Sequence, residues 1–320
     1  MIKPTPEQIV LWIKKNFGDE YKTAKGGQEI RINNPLSIDD NHHLWINVKK
    51  AIVNDFRPNY KSGVAGTFLS FVMKYKNIRF KDAAKEVIGD NYKTYDIFEY
   101  GDEDDEPIQE IALPSGFKKF TYEDTKLSAI VKRYLNQRCV TNGKIYVNGV
   151  GYVGPNVVFP YQEFGKIVYW QQRAITNKEF LFPDGTNKSR FIYGIDSIDP
   201  TEPVVITESI FNALMFENGL AIGGSDISDD QKNKLRKVGV KRVVIAFDND
   251  KAGIAGTTKA YDKMKAYFDM FYGFTDKPKD EDGDWNDLAR RCGIDAPMKM
   301  LKRNVKKLDF KSVVTLRRAS

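Results

Sequence analysis

The chain has 320 residues, 41% of them hydrophobic and 12% aromatic, enough apolar material for a full core and two or three domains. Its 50 Lys and Arg against 43 Asp and Glu give a formal charge of +7, which favours polyanionic partners and makes nucleic acid the first candidate. Cys139 and Cys292 are too few and too scattered for a disulfide framework or a cysteine-ligated zinc site, so a reducing cytosol is expected; no signal-peptide pattern and no apolar run of membrane-spanning length is present.

Ile9, Val10, Trp12, Ile13 and Phe17 recur at helical spacing after a Pro-containing start, and Gly18 stops the pattern. Glu29–Ile32, Leu44–Val48 and Lys50–Val53 follow as short strand-like runs broken by Asn33-Asn34-Pro35 and Asp39-Asp40-Asn41, which predicts a small antiparallel sheet. Two amphipathic helices come next, one after Gly66 and one from Phe80 to Ile88. Tyr92 to Pro114 carries the acidic run Gly101–Pro107, which cannot bury itself and reads as a flexible linker; an acidic decoy held against a basic groove is the alternative. A helix is expected from Leu127 to Arg138. Val157–Tyr161 and Lys166–Arg173 then flank Glu163-Phe164-Gly165 as a hairpin whose second arm ends in the donors Gln172 and Arg173. Lys178, Lys188 and Arg190 follow, interleaved with Phe180, Phe182, Phe191 and Tyr193, a mixture that suits phosphate contacts and base stacking as well as an ordinary core beneath a solvated face.

From Pro203 the pattern becomes strand, helix, strand, helix, which predicts a parallel sheet with helices on both faces. The strands Val204–Thr207, Leu220–Ile222, Val243–Phe247 and Phe268–Tyr272 lead to Glu208, to Gly223-Gly224-Ser225-Asp226, to Asp248-Asn249-Asp250 and finally to the stretch Lys279–Leu288. Parallel strands put their C-terminal ends on one edge, so Glu208, Asp248, Asp250 and Asp284 can converge, and paired carboxylates on a stiff edge suit a hard divalent cation. The chain closes with the basic run Lys299 to Arg318, read as a helix and extension that is either a solvated terminus or a contact for nucleic acid or a partner.

Glu208 after one buried strand, Gly224-Ser225 after the next, Asp248-x-Asp250-x-Ala252-Gly253 after the third and Asp284-Trp285-Asn286-Asp287-Leu288 near the end together resemble the Toprim signature. Toprim domains occur in primases, topoisomerases and some nucleases, so the signature alone leaves the reaction open. Val157–Tyr161, Gln171-Gln172-Arg173, Lys188-Ser189-Arg190-Phe191, Tyr193-Gly194 and Tyr134–Val140 look like the region preceding Toprim in DnaG-type DNA primases, closest in layout to the short stand-alone primases of large tailed phages. The resemblance implies an α/β fold: a Toprim-type parallel sheet flanked by helices over 204–292, preceded by a basic α+β subdomain over 116–203. A small zinc-ribbon-like α+β domain over 1–92, the acidic linker over 93–115 and a basic helix or tail over 293–320 complete the layout. The zinc-ribbon cysteines of those primases are missing. The corresponding positions are Asn34 and Ser37, then Asp55 and Pro58, so the expected domain lacks zinc and needs a replacement core. Ile30, Ile32, Leu44, Trp45, Ile46, Val48, Ile52, Phe56, Phe68 and Phe71 are the candidates. The adjacent His42 and His43 lack partners at zinc-like spacing.

By this resemblance the chain is a DNA primase, a nucleotidyltransferase that builds short RNA primers on a single-stranded DNA template from ribonucleoside triphosphates in DNA replication. Glu208, Asp248 and Asp250 would be catalytic; with Asp284 and Asp287 they would hold Mg²⁺ or Mn²⁺, Glu208 acting as ligand or general base. Gln172, Arg173, Lys188, Arg190 and Lys251 would face template or nucleotide. The chain has no Gly-x-x-x-x-Gly-Lys-Ser/Thr loop, so a separate replicative helicase is the expected partner. The expected compartment is the cytoplasm, that of a bacterial host if the chain is phage-encoded. A Toprim nuclease and a noncatalytic nucleic-acid-binding accessory protein are the rival readings.

Overall fold

The computed structural model describes all residues except 1–2, 37–38, 40, 56–65, 77, 79, 90–108, 122–124, 178, 277–282 and 320; among the described residues, three five-stranded sheets follow one another along the chain. Helix α1 (Pro6–Phe17) starts with proline at its first position behind a Thr5–Gln8 capping box. Strands β1 (Lys22–Ala24), β2 (Glu29–Ile32), β3 (Leu44–Asn47), β4 (Ile52–Asp55) and β5 (Gly66–Thr67) form an antiparallel meander in sequence order, covered by α1, α2 (Phe68–Lys76) and α3 (Phe80–Ile88). Ile30, Ile32, Leu44, Ile46, Val48, Phe68 and Phe71 are buried in this core. Two expected core residues face outward instead, because side chains alternate along a strand. Trp45 lies between inward Leu44 and Ile46 and takes Arg31 on its ring at 3.7 Å, while Ile52 is 44% exposed and Val53 takes the inward place. Phe56, Ser37 and Pro58 lie outside the described residues, as do the acidic run 101–107 and Lys178. Asn34 and Asp55, two of the positions aligned with zinc ligands, are buried and joined by a hydrogen bond from Asn34 Nδ2 to Asp55 Oδ2 at 2.7 Å.

The second sheet holds β6 (Lys118–Lys119), β7 (Gly151–Val153), β8 (Asn156–Glu163), β9 (Lys166–Ala174) and β10 (Phe180–Leu181) in the order β10-β9-β8-β7-β6, with α4 (Lys126–Gln137) and α5 (Asn142–Val147) inserted after β6. The hairpin joining β8 and β9 turns on Phe164 and Gly165 at φ 52° and 80°. Positive φ at both central residues is the turn whose twist matches the strands, and Asp196 fixes it by accepting from both backbone N–H groups. The last residues of the expected flexible linker pack on this sheet: Ile111 N donates to Ile167 O, and Trp170 Nε1 donates to Ala112 O.

The third sheet contains β11 (Val204–Thr207), β12 (Gly219–Ala221), β13 (Arg242–Ile245), β14 (Asp269–Tyr272) and β15 (Lys306–Lys307) in the order β12-β11-β13-β14-β15. The first four are mutually parallel, and β15 adds antiparallel to β14. Helices α6 (Ile210–Ala213), α7 (Asp229–Lys237) and α8 (Lys251–Met264) connect the parallel strands, as such strands require, and α9 (Trp285–Cys292) follows β14. Two cores lie on opposite faces of this sheet. Val205 and Val244 join Phe159, Tyr161 and Tyr169 of the second sheet, whereas Val204, Ile206, Val243 and Ile245 pack with α7 and α8. The basic run after Cys292 is no loose extension. Helix α10 (Ala296–Asn304), β15 and α11 (Phe310–Ala319) complete the sheet, Leu308, Val313 and Leu316 are buried, and Arg303, Lys307 and Arg317 pair with Asp276, Asp269 and Asp262. Among the described residues no helix is long and apolar enough to cross a membrane.

Candidate active site

The two central strands β11 and β13 run side by side in parallel, with Ile206 opposite Ile245, so the residues that follow them reach the same edge. Glu208 and Asp248 meet there: Glu208 Oε1 accepts from the backbone N–H of Asp248 at 3.1 Å. Asp250 caps α8, its Oδ1 accepting from Gly253 N at 2.8 Å. A Cβ at Gly253 would lie 2.1 Å from the carbonyl oxygen of Asp248, so only glycine lets α8 start this close to the acidic turn. Asp284 caps α9 through Asp287 N at 2.8 Å, and the indole of the next residue, buried Trp285, donates to Ala246 O at 2.8 Å. That bond ties the start of α9 to the end of β13.

Asn212 connects these parts and was not anticipated as a site residue. Fully buried on α6, it donates through Nδ2 to Asp248 Oδ1 at 2.9 Å and accepts at Oδ1 from the backbone N of Asn286 at 3.0 Å. It is a strut between the β13 carboxylate and α9. Asn286, also fully buried, donates to the carbonyl of Arg138 at 2.6 Å, which links α9 to the end of α4.

The carboxylates crowd one another electrostatically. Burial pushes Asp248 up to about 7, helped by the charges of Glu208, Asp284 and Asp250. Burial also raises Glu208, with Asp250 adding to it, and burial raises Asp284. Like charges gathered in a half-buried place disfavour ionisation unless a cation joins them. Oxygen donors of this kind match Mg²⁺ or Mn²⁺ in chemistry. As their side chains stand, no three described His, Cys, Asp or Glu residues enclose a common point, so coordination needs these carboxylates to turn toward one another. Asp287 is set apart by an ion pair with Arg290 at 3.0 Å.

Beside the carboxylates opens a cleft of about 310 Å³ lined by Tyr134, Gln137, Arg138, Arg173 and Arg290, among others. Arg138 and Arg173 both lie over the Phe211 ring, at 4.7 and 5.4 Å, and the buried Nε of each has no hydrogen-bond partner. Arg138 also acts on Asp284, so the cationic cleft and the anionic edge are contiguous. Of the expected polyanion contacts, Arg173 therefore sits in the cleft. Gln172 does not: adjacent strand residues point to opposite faces, and Gln172 is 6% exposed on the other side of β9. Gln171 shares the face of Arg173. Lys188 reaches the loop after β12, its Cδ 3.9 Å from where a Cβ of Gly223 would be. Arg190 pairs with Asp230 at 3.5 Å, and Lys251 is exposed at the first turn of α8. The signal for Arg138 lay in the quoted Tyr134–Val140 stretch; Arg290 carried none.

A Toprim-like family model matches residues 205–289. No curated protein sequence matches the chain. Among solved structures, the zinc-binding and RNA polymerase domains of the Aquifex aeolicus primase superpose with a TM-score of 0.51 at 17% identity, covering 98% of this chain and 86% of that one. The E. coli primase catalytic core gives 0.46 at 16% identity over 56% of this chain and 74% of its own. The primase fragment of the bacteriophage T7 primase-helicase protein gives 0.39 at 16% identity over 53% and 70%. Residues 205–289 are a Toprim-like domain, set in a chain whose fold resembles that of the Aquifex primase domains.

Proposed function

We propose that the chain is a DNA primase, a metal-dependent nucleotidyltransferase that joins ribonucleotides on a single-stranded DNA template. The observation that carries this reading is the contact between two opposite surfaces: the carboxylate edge of Glu208, Asp248, Asp250 and Asp284, and the arginine cleft of Arg138, Arg173 and Arg290. A polymerase of nucleotides needs both, one to hold cations and one to hold phosphates. Glu208, Asp248, Asp250 and Asp284 would bind Mg²⁺ or Mn²⁺, which stabilise the attacking oxygen and the leaving pyrophosphate in phosphoryl transfer. The arginines position polyphosphate through charge-assisted hydrogen bonds from the guanidinium groups that line the cleft. Asn212 holds the Asp248 carboxylate in place. Lys188 and Lys251 flank the same edge and would neutralise template or nucleotide charge.

The chain would act in the cytoplasm and depend on a separate replicative helicase to supply unwound template. Purified protein incubated with ribonucleoside triphosphates, single-stranded DNA and Mg²⁺ or Mn²⁺ should yield short RNA products. Degradation of the DNA without synthesis would instead identify a Toprim nuclease, and tight binding with neither reaction would identify an accessory binding protein.

A further inference from the structure

The second sheet ends in an apolar edge that stays open to solvent. Phe180, Leu181 and Phe182 are 36%, 57% and 42% exposed, three consecutive large apolar side chains at the rim of the second sheet. Burial explains their neighbours. Tyr193, in the same aromatic-rich stretch, is 2% exposed and belongs to the core between the sheets.

The exposed phenylalanines are the outer members of a column. Phe180 lies opposite Arg173 across the β9–β10 ladder, which puts Phe180, Phe182, Arg173 and Tyr169 on one face. Phe180 and Phe182 are parallel within 9° at 6.3 Å, Phe182 and Tyr169 within 17° at 6.1 Å, and Tyr169 and Phe191 within 11° at 5.0 Å. A cation stands at each end. Arg173 lies 4.9 Å over Phe180, and Lys234, itself paired with Glu163, lies 5.0 Å over Phe191. Centroid separations of 6.1 and 6.3 Å belong to offset stacking, so the rings form a staircase with each face only partly covered by the next. The arginine end of the staircase opens into the cleft beside the carboxylates.

We propose that Phe180 and Phe182 are a stacking platform for unpaired bases of a single-stranded nucleic acid, leading that strand through Arg173 toward the carboxylate edge. Every base has a flat face to offer such rings, so the contact is indifferent to sequence. The cations at the ends fit a polyanion, and parallel aromatic treads fit bases, whereas a protein partner would need neither in register. Taking the strand to be the template rests on the primase reading; the platform itself does not.

The test is binding of a fluorescein-labelled oligothymidylate of about 16 nucleotides, near the upper end of single-strand site sizes, monitored by anisotropy without nucleotides or divalent metal. The double variants F180A/F182A and F180L/F182L should each weaken binding about tenfold or more, while F180W/F182W retains it. The salt dependence of the remaining binding should match wild type, because no phosphate contact is removed. The leucine pair keeps apolar bulk, so affinity equal to wild type in that variant, with an unchanged melting temperature, overturns the platform. A leucine or alanine loss that the tryptophan pair does not share supports it. Primer synthesis by wild type is scored separately. Its absence sinks the primase reading and leaves the platform standing, and unchanged affinity of the variants does the reverse.

Discussion

Replacing Asp248 by asparagine should stabilise the metal-free protein while abolishing its response to divalent cations. The introduced amide would keep the shape of the side chain and still accept from Asn212 Nδ2, so the strut to α9 survives. What disappears is a carboxylate pushed from 3.8 up to about 7 by burial and by Glu208, Asp284 and Asp250. That displacement corresponds to about 4 kcal/mol when the group is fully ionised, and solvent reaching the half-buried carboxylate reduces it to about 2 kcal/mol. The folded carboxyl holds its proton at higher pH than the unfolded one. The stability it confers is therefore complete below about pH 4 and is lost as pH rises through about 7. At pH 8 in EDTA the variant should melt roughly 4–8 °C above wild type, and near pH 4 the difference should vanish. Millimolar Mg²⁺ or Mn²⁺ should raise the melting temperature of wild type at pH 8 and leave the variant unmoved. Scanning calorimetry across pH with and without metal measures all of this. A variant that melts below wild type at pH 8 would refute the crowding, and one that keeps the same metal-induced shift would refute the cation assignment.

Arg138→Ala should raise the nucleotide KM about tenfold or more in a primer-synthesis assay, because one charge-assisted contact is worth about 1.5–3 kcal/mol; an unchanged KM would remove Arg138 from the cleft's role. Gly253→Ala places a Cβ 2.1 Å from the Asp248 carbonyl, so it should cost about 1–3 kcal/mol and misplace the acidic turn, seen as a lowered melting temperature with activity falling further than stability explains. Asn34→Ala leaves buried Asp55 without that donor and should destabilise the amino-terminal sheet by about 1–3 kcal/mol in urea. Elemental analysis of the purified protein should find no stoichiometric zinc; a bound ion released on unfolding would overturn the zinc-free reading of this domain.

The third sheet was legible because its signals are local. Val204–Thr207 and Val243–Phe247 are short continuous apolar runs, the mark of strands buried on both faces, and each stops at an acid. Once the strands are parallel, their ends must share an edge, and Glu208 duly accepts from the backbone of Asp248 forty residues away. The amino-terminal strands were legible by alternation, but a turn through Ala51 at φ 53° delays β4, so Val53 rather than Ile52 faces inward. The basic ending misled for a related reason. Charge density advertised a surface, while Leu308, Val313 and Leu316, three apolar residues spaced among lysines and arginines, did the anchoring.

The cleft was not legible and the staircase only in part, since Phe180, Phe182 and Phe191 stood out as stacking candidates but their alignment did not, and the reason is topological. Arg138 closes α4, Arg173 closes β9 and Arg290 lies within α9; they become one surface only when the second sheet docks on the face of the third that carries Val205 and Val244. That docking hangs on contacts between residues far apart in sequence, such as Phe159 with Phe211 at 5.4 Å and Asn286 with the Arg138 carbonyl. A list of cations and aromatics cannot say which side of a strand each takes. Gln172 and Arg173 stood together in the sequence as donors to one ligand, yet the strand sends one into the interior and the other to the cleft. The same alternation, carried across to β10, lifts Phe180 and Phe182 onto the face of Arg173. The two-residue period thus removes one expected ligand contact and creates another, and it makes Gln171, on the face of Arg173, a better candidate than Gln172 for substitution in a binding assay.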